Sequence, residues 1–242
     1  IASVDTIIYR SRADKEVFKY NVATLANYYE TSNIMGYDKV FVHIAEKYYL
    51  SDEAYWADSS LKAKIQERVN KIKPNILGTP AYDLVMLDTN VQIKGNTIVP
   101  ESMRYKRLYD IKARYTVLVF WDPTCSHCKV EIPRVDSFYK AIWSKLNVKV
   151  LSVNINFKEL TAWKTFIKEN KLAGWMHAYQ TEADLNKEIQ QGKPTTIRQL
   201  YDVFKTPTFY LLDANKKIIA KNLTIEQFND FLVNTSNKKA PN

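Results

Sequence analysis

The chain has 242 residues, 46% hydrophobic and 25% charged, the make-up of a globular protein of one large domain or a small domain joined to a medium one, not of a disordered tail or repeat fibre. Five glycines with no GxGxxG or GxxxxGK string nearly exclude nucleotide binding through a glycine-rich loop, and two cysteines, Cys125 and Cys128, exclude a disulfide scaffold and a four-cysteine zinc site. The net charge of +9 is uneven, residues 1–74 holding 11 basic and 10 acidic side chains and residues 75–242 holding 24 and 16; spread singly apart from pairs such as Lys216-Lys217 and Lys238-Lys239, it reads as solvated basic surface and not as a nucleic-acid site.

In chain order, Val17, Phe18, Val22, Leu25, Ala26 and Tyr29 recur at three- and four-residue steps and predict a helix from Ala13 to about Tyr29. A second helical run follows Met35-Gly36, with Val40, Phe41, Ile44, Ala45, Tyr48 and Tyr49 on one face. A third spans about Asp58 to Ile72, with Ser59 or Ser60 as N-cap and Leu61, Ile65, Val69 and Ile72 inward. Lys73-Pro74-Asn75 ends it, since proline cannot continue a helix. Residues 1–74 therefore read as a small all-α domain.

Leu84 to Leu87 and Val91 to Ile93 flank Asp88-Thr89-Asn90, a hairpin signal. Tyr115 to Trp121 (YTVLVFW) is β-branched and aromatic and is bounded by Asp122-Pro123, the pattern of a fully buried strand. A helix from Cys125 to about Leu146 follows, kinked at Pro133, then a strand from Val148 to Ile155. Next comes a helix over Leu160 to Glu169 with Trp163, Phe166 and Ile167 inward, and His177 falls in a short strand. Strands at Thr208 to Leu212 and Lys217 to Ala220 enclose the turn Asp213-Ala214-Asn215, and a helix over Ile225 to Leu232 precedes a flexible tail at 237–242. Residues 75–236 thus read as an α/β domain with a mixed central sheet and helices on both faces. No stretch reaches the roughly 18 apolar residues of a membrane span, so a soluble chain without a transmembrane segment is expected. It begins at Ile1 without Met or a signal sequence, which fits a mature form whose export signal has been removed.

Cys125-Ser126-His127-Cys128 follows the buried strand and opens a helix. Unpaired N–H groups and the positive end of the helix dipole favour thiolate over thiol at such a position. Cys125 is therefore the expected nucleophile and Cys128, one turn inward, the thiol that resolves the mixed disulfide. A protonated His127 would favour the thiolate further. A structural disulfide across so short a loop removes little unfolded-state entropy. A zinc site would need two more ligands, and the other histidines are His43, inside the apolar run VFVHIAEKYY, and His177; no metal and no cofactor are expected. Glu131, three residues after Cys128, lies on the same side of the helix. It either takes a proton from the buried thiol or simply complements the dipole. Trp143 and Trp163 read as packing.

The stretch FWDPTCSHCKVEIP, followed some eighty residues later by VFKTPTFYLLD, resembles the thioredoxin-like thiol:disulfide oxidoreductases of the TlpA/ResA kind over roughly residues 78–235. The whole chain is also similar to the two-domain versions common in Bacteroidetes, through YYETSNIMGYDKVFVHIAEKYY and Trp56. The resemblance implies that Cys125 and Cys128 are the redox pair, that Trp121 covers the site, and that Pro207 is the cis-proline with Thr206 beside the disulfide. Together with Ser126 and His127, these residues would contact substrate, the backbone at Thr206 pairing with an extended peptide. In this group a glutamate placed like Glu131 serves as the acid of the second exchange step. Val119 stands where thioredoxins carry an acid on the preceding strand, which moves Glu131 toward the catalytic reading. Peroxidase chemistry in the same fold needs a proline and a threonine seven and three places ahead of the cysteine, where this chain has Leu118 and Asp122.

The direction of electron flow does not follow from the thiol alone. Two pKa units at Cys125 would be worth roughly 2.7 kcal/mol, on the order of 60 mV against a span of ~150 mV between the reductants and oxidants of this fold. His127 pushes toward oxidant, and the Glu131 arrangement resembles the reducing branch. The expectation is a periplasmic or cell-envelope reductant of exported protein disulfides, recharged by a membrane-linked redox partner and possessing an anchor only through a segment absent from this chain. A disulfide-forming oxidant and a non-catalytic, redox-sensitive docking protein are the alternatives.

Overall fold

A computed structural model of the chain describes residues 1–88, 93–94, 97–98, 104–172, 174–179, 181 and 196–237. The chain divides into two compact units, Ile1–Thr79 and Pro80–Asn242.

The first unit is helical: α1 (Ala2–Ser11), α2 (Lys15–Thr31), α3 (Tyr37–Ile44) continued by a π-helical turn (Ala45–Tyr49), and α4 (Ser59–Ile72), closed by a 3-10 turn over Lys73–Asn75. Its core gathers Val4 and Ile8 of α1 with Phe18, Val22, Phe41, Ile44, Tyr48, Val69 and Ile72. Helix α1 falls outside the expected helices. Its apolar Ile1, Ile7 and Tyr9 are exposed while Val4 and Ile8 are buried, so apolar residues lie all round it and no single stripe stands out in the sequence. The N-cap of α4 is Asp58, not Ser59 or Ser60: its carboxylate accepts from the Leu61 N–H at 2.7 Å. An ionised oxygen bonds that N–H and also meets the positive helix end.

In the second unit a seven-stranded mixed sheet runs in the order β4-β1-β7-β6-β5-β8-β9. Its strands are β1 (Val85–Asp88), β4 (Tyr105–Arg107), β5 (Tyr115–Trp121), β6 (Val148–Asn154), β7 (Met176–Tyr179), β8 (Thr208–Leu212) and β9 (Ile218–Lys221); β2 (Ile93–Lys94) and β3 (Thr97–Ile98) form a separate short pair. The hairpin expected around Asp88-Thr89-Asn90 does not form: β1 pairs with β4 and β7, and Ile93 pairs with Ile98 of β3, because strands distant in the chain take both edges of β1; residues 89–92, and the expected tail beyond Asn237, lie outside the described residues.

Strands β5, β6 and β7 are parallel and are joined through α5 (Ser126–Ala141) and α6 (Leu160–Glu169). Right-handed crossovers put both helices on one face, where Trp121 meets Trp163 and Phe166 of α6. The last helix, α8 (Ile225–Asn237), shares that face through Phe209 against Phe228. On the other face Phe120 packs on Tyr201, which follows the short helix α7 (Ile197–Leu200). Covered on both sides, every residue of β5 is buried, which explains a run without polar alternation. The architecture is a thioredoxin-like α/β fold preceded by an all-α part. Helix α5 ends at Ala141, and a 3-10 turn over Trp143–Leu146 completes the longer helix expected from the sequence.

Candidate active site

Two chain segments build the site. Strand β5 delivers the chain to Asp122, and the turn Asp122-Pro123-Thr124 sets the start of α5. The Asp122 carboxylate accepts from the N–H and hydroxyl of Thr124 at 2.8 and 2.7 Å and from Asn156 Nδ2 at 2.9 Å. Burial opposes its ionisation, but these bonds and the Arg198 charge hold it below the usual value. Cys125 is the N-cap of α5 and Cys128 lies in its first turn. The second segment is the loop before β8, with a cis peptide between Thr206 and Pro207. Strand β8 pairs antiparallel with β5, which brings that loop to the helix start. The Cys125 thiol donates to the Thr206 carbonyl at 3.4 Å.

The two free thiols differ sharply. Cys125 is partly open to solvent and Cys128 is buried. Burial opposes ionisation of Cys125, but the Thr206 side chain, the backbone and thiol of Cys128 and the His127 backbone hydrogen-bond to it and hold it below its ordinary value. Burial pushes Cys128 up to about 12; the Asp122 backbone and the Thr206 side chain offset part of that rise, and neighbouring Cys125 adds to it. One sulfur is thus the readier to ionise and attack, and the other needs its proton removed first.

The other expected residues lie as follows. His127 and Ser126 are exposed, and what His127 offers Cys125 is its backbone N–H, a contribution that does not require an imidazole. Pro207 is half-buried beside Thr206. Trp121 is wholly buried; its indole N–H donates to Ser152 Oγ at 2.6 Å, so the ring supports the site from inside and offers no face to a substrate. Glu131 is about one quarter exposed, and its carboxylate is engaged by Arg134 Nη1 at 2.6 Å. The second terminal nitrogen of Arg134 is held by Glu226, in the first turn of α8. Helical spacing shows that Arg134 can reach Glu131. Nothing local points to Glu226, 92 residues after Arg134, or to Ser152, whose meeting with Trp121 depends on strand register. Among the described residues no group of three or more His, Cys, Asp or Glu side chains is gathered for a metal, and no helix is long and apolar enough to cross a membrane.

Residues 91–221, more than half of the chain, match the AhpC/TSA family. The chain is 23% identical over 159 residues to the thiol-disulfide oxidoreductase ResA of Oceanobacillus iheyensis, covering 64% of this chain and 71% of that one. To the sporulation thiol-disulfide oxidoreductase A of Bacillus subtilis it is 32% identical over 109 residues, 44% of this chain and 58% of that one. A solved domain of a possible thiol-disulfide isomerase from Cytophaga hutchinsonii is 33% identical, covers 66% of this chain with 92% of its own length, and has a TM-score of 0.51. A thioredoxin-like protein from Bacteroides caccae, 21% identical, shares the fold across 96% of this chain and 75% of its own, with a TM-score of 0.69.

Proposed function

The chain belongs to the AhpC/TSA family and is a thioredoxin-like thiol-disulfide oxidoreductase; from that premise we propose that Cys125 and Cys128 are its redox pair and that it reduces disulfides of exported proteins. The unequal environments of the two thiols carry the reading. In the first step the Cys125 thiolate attacks a substrate disulfide, forming a mixed disulfide and releasing one substrate thiolate. In the second, Cys128 gives its proton to Glu131 and attacks Cys125 Sγ. The bond from Cys125 to the substrate breaks, the second substrate thiolate leaves, and the enzyme is left oxidised with its own disulfide. Thr206 and Pro207 hold the substrate backbone by strand addition, with Ser126 and His127 at the rim and Trp121 as internal support.

The reductant reading gains from His127. The imidazole that would push the pair toward an oxidant is exposed, and the contact His127 makes with Cys125 is a backbone one. We place the reaction in the periplasm or cell envelope, where substrates carry disulfides, and assign re-reduction to a membrane-linked partner. We read residues 1–74 as a separate helical domain.

Reduction of insulin disulfides by the wild type and by Cys125→Ser tests the assignment. Turnover is expected to fall on the order of a thousandfold or more without the nucleophile, and equal inactivity of both proteins would favour a binding protein. Equilibration with thiol buffers tests direction: a midpoint near about −120 mV rejects the reductant.

A further inference from the structure

Asp122 belongs to two neighbourhoods. Its carbonyl accepts from the Cys125 N–H at 3.2 Å, and it also lines a cleft of about 460 Å³. Lys158, in the segment after β6, and Arg198 of α7 line the same cleft. Arg198 Nε donates to the Val203 carbonyl at 3.5 Å, three residues ahead of Thr206, so the cleft is bordered by chain leading to both segments of the active site. Its size suits a small ligand or a short stretch of peptide.

The polar groups of the cleft are unequally engaged. The Asp122 carboxylate is taken up by Thr124 and Asn156. Asn154 Nδ2 donates to the Asn156 carbonyl at 3.1 Å, and Asn154 Oδ1 accepts from the Asn156 N–H at 2.8 Å. The two cations are not occupied in this way. Both are exposed, and among the described residues Lys158 makes no ion pair or hydrogen bond while Arg198 commits only its Nε. The donors left to a ligand are therefore positive, and a guanidinium fork matches a carboxylate in shape as well as charge. The half-buried Ile155 and Phe157 complete the lining and suit the methylenes of an acidic side chain.

We propose that this cleft is a substrate subsite for an acidic side chain, Asp or Glu, lying within a few residues of the substrate's reactive cysteine, with Arg198 and Lys158 setting the preference. The proposal rests on the reading of Cys125 as the nucleophile and adds which protein disulfides react fastest, those set in acidic sequence.

Short peptides with a single cysteine capped as a pyridyl disulfide test it under single-turnover conditions. The Cys125 thiolate attacks the peptide sulfur, the bond to the pyridyl sulfur breaks, and the leaving group takes a proton from solvent and is read by absorbance as thiopyridone. A Glu is moved position by position on either side of the cysteine, each peptide being paired with a Gln counterpart. At one or two adjacent positions the Glu peptide is expected to react about fivefold faster than its counterpart, with little difference elsewhere. Arg198→Gln and Lys158→Gln each bring that ratio toward one, and Arg198→Glu combined with Lys158→Glu inverts it. Thermal melts check that the variants are folded, and the wild-type series stands without them. A ratio near one at every position overturns the subsite. An equal gain at every position reports only the net charge of +9 and overturns it too, as does a local gain that the folded variants keep. Failure of every peptide, Gln counterparts included, to release thiopyridone overturns instead the nucleophile reading beneath it, and the subsite falls with that reading.

Discussion

In the helical unit one carboxylate is surrounded by donors; in the α/β unit two like thiols are given unlike surroundings. Asp5 of α1 accepts from His43 Nε2 at 2.8 Å, Tyr48 Oη at 2.6 Å and Lys47 Nζ at 3.0 Å. Burial opposes its ionisation, yet these bonds hold it well below the ordinary carboxylate range. Its partners bind α1 to α3 and the π-helical turn, and no change of protonation is available to it near neutral pH. At the two cysteines, hydrogen bonds favour ionisation of Cys125 and burial opposes it at Cys128. The same two forces, desolvation and hydrogen bonding, produce a fixed joint in one unit and two thiols of unequal readiness to ionise in the other.

The contrast is broken most directly by alkylation. Iodoacetamide should label Cys125 with a midpoint below its ordinary value and leave Cys128 of the folded protein untouched until the pH nears 12, which peptide mapping after a pH series reads. Equal labelling of both thiols would erase the distinction.

A smaller effect is expected at Asp5. Asp5→Ala should destabilise the full chain by about 1–3 kcal/mol, measured by urea unfolding. Because the folded pKa is depressed, the stabilisation is complete above the unfolded value of about 4 and is lost as pH falls through the folded one. The deficit of the variant should therefore shrink on acidification below about pH 4, and a pH-independent deficit would mean that the joint is not ionic. At the small end of the series, Trp121→Phe keeps an aromatic side chain but removes the bond to Ser152 and leaves part of the buried indole's space empty, at a cost of about 1–2 kcal/mol. Reactivity at Cys125 should survive it, as assayed by the same alkylation; loss of reactivity would place the indole in the chemistry after all.

What could be read from the sequence follows the range of each interaction. Strand β5 was legible because YTVLVFW states its own burial, and the helix start at Cys125 because Asp122-Pro123 interrupts the strand. Strand β4 gave no signal: its residues Tyr105, Lys106 and Arg107 are exposed or half-buried, as an edge strand permits. The pairing of Arg134 with Glu131 obeys helical spacing, whereas its tether to Glu226 and the Trp121 bond to Ser152 exist only once the sheet is assembled. The expectation that Trp121 lies over the site came from family likeness, and register with β6 directs the indole inward.

The separation of Cys125 and Thr206 by 81 positions also sets an order of events during synthesis. The CxxC segment leaves the ribosome long before the loop that completes its surroundings, and β5 must wait as long for its neighbour β8. Through that interval the nascent chain carries the motif without the Thr206 hydroxyl and carbonyl, so the two sulfurs are less distinct than in the finished protein. A chain halted before β8 would therefore display the CxxC sequence with its two thiols less sharply distinguished.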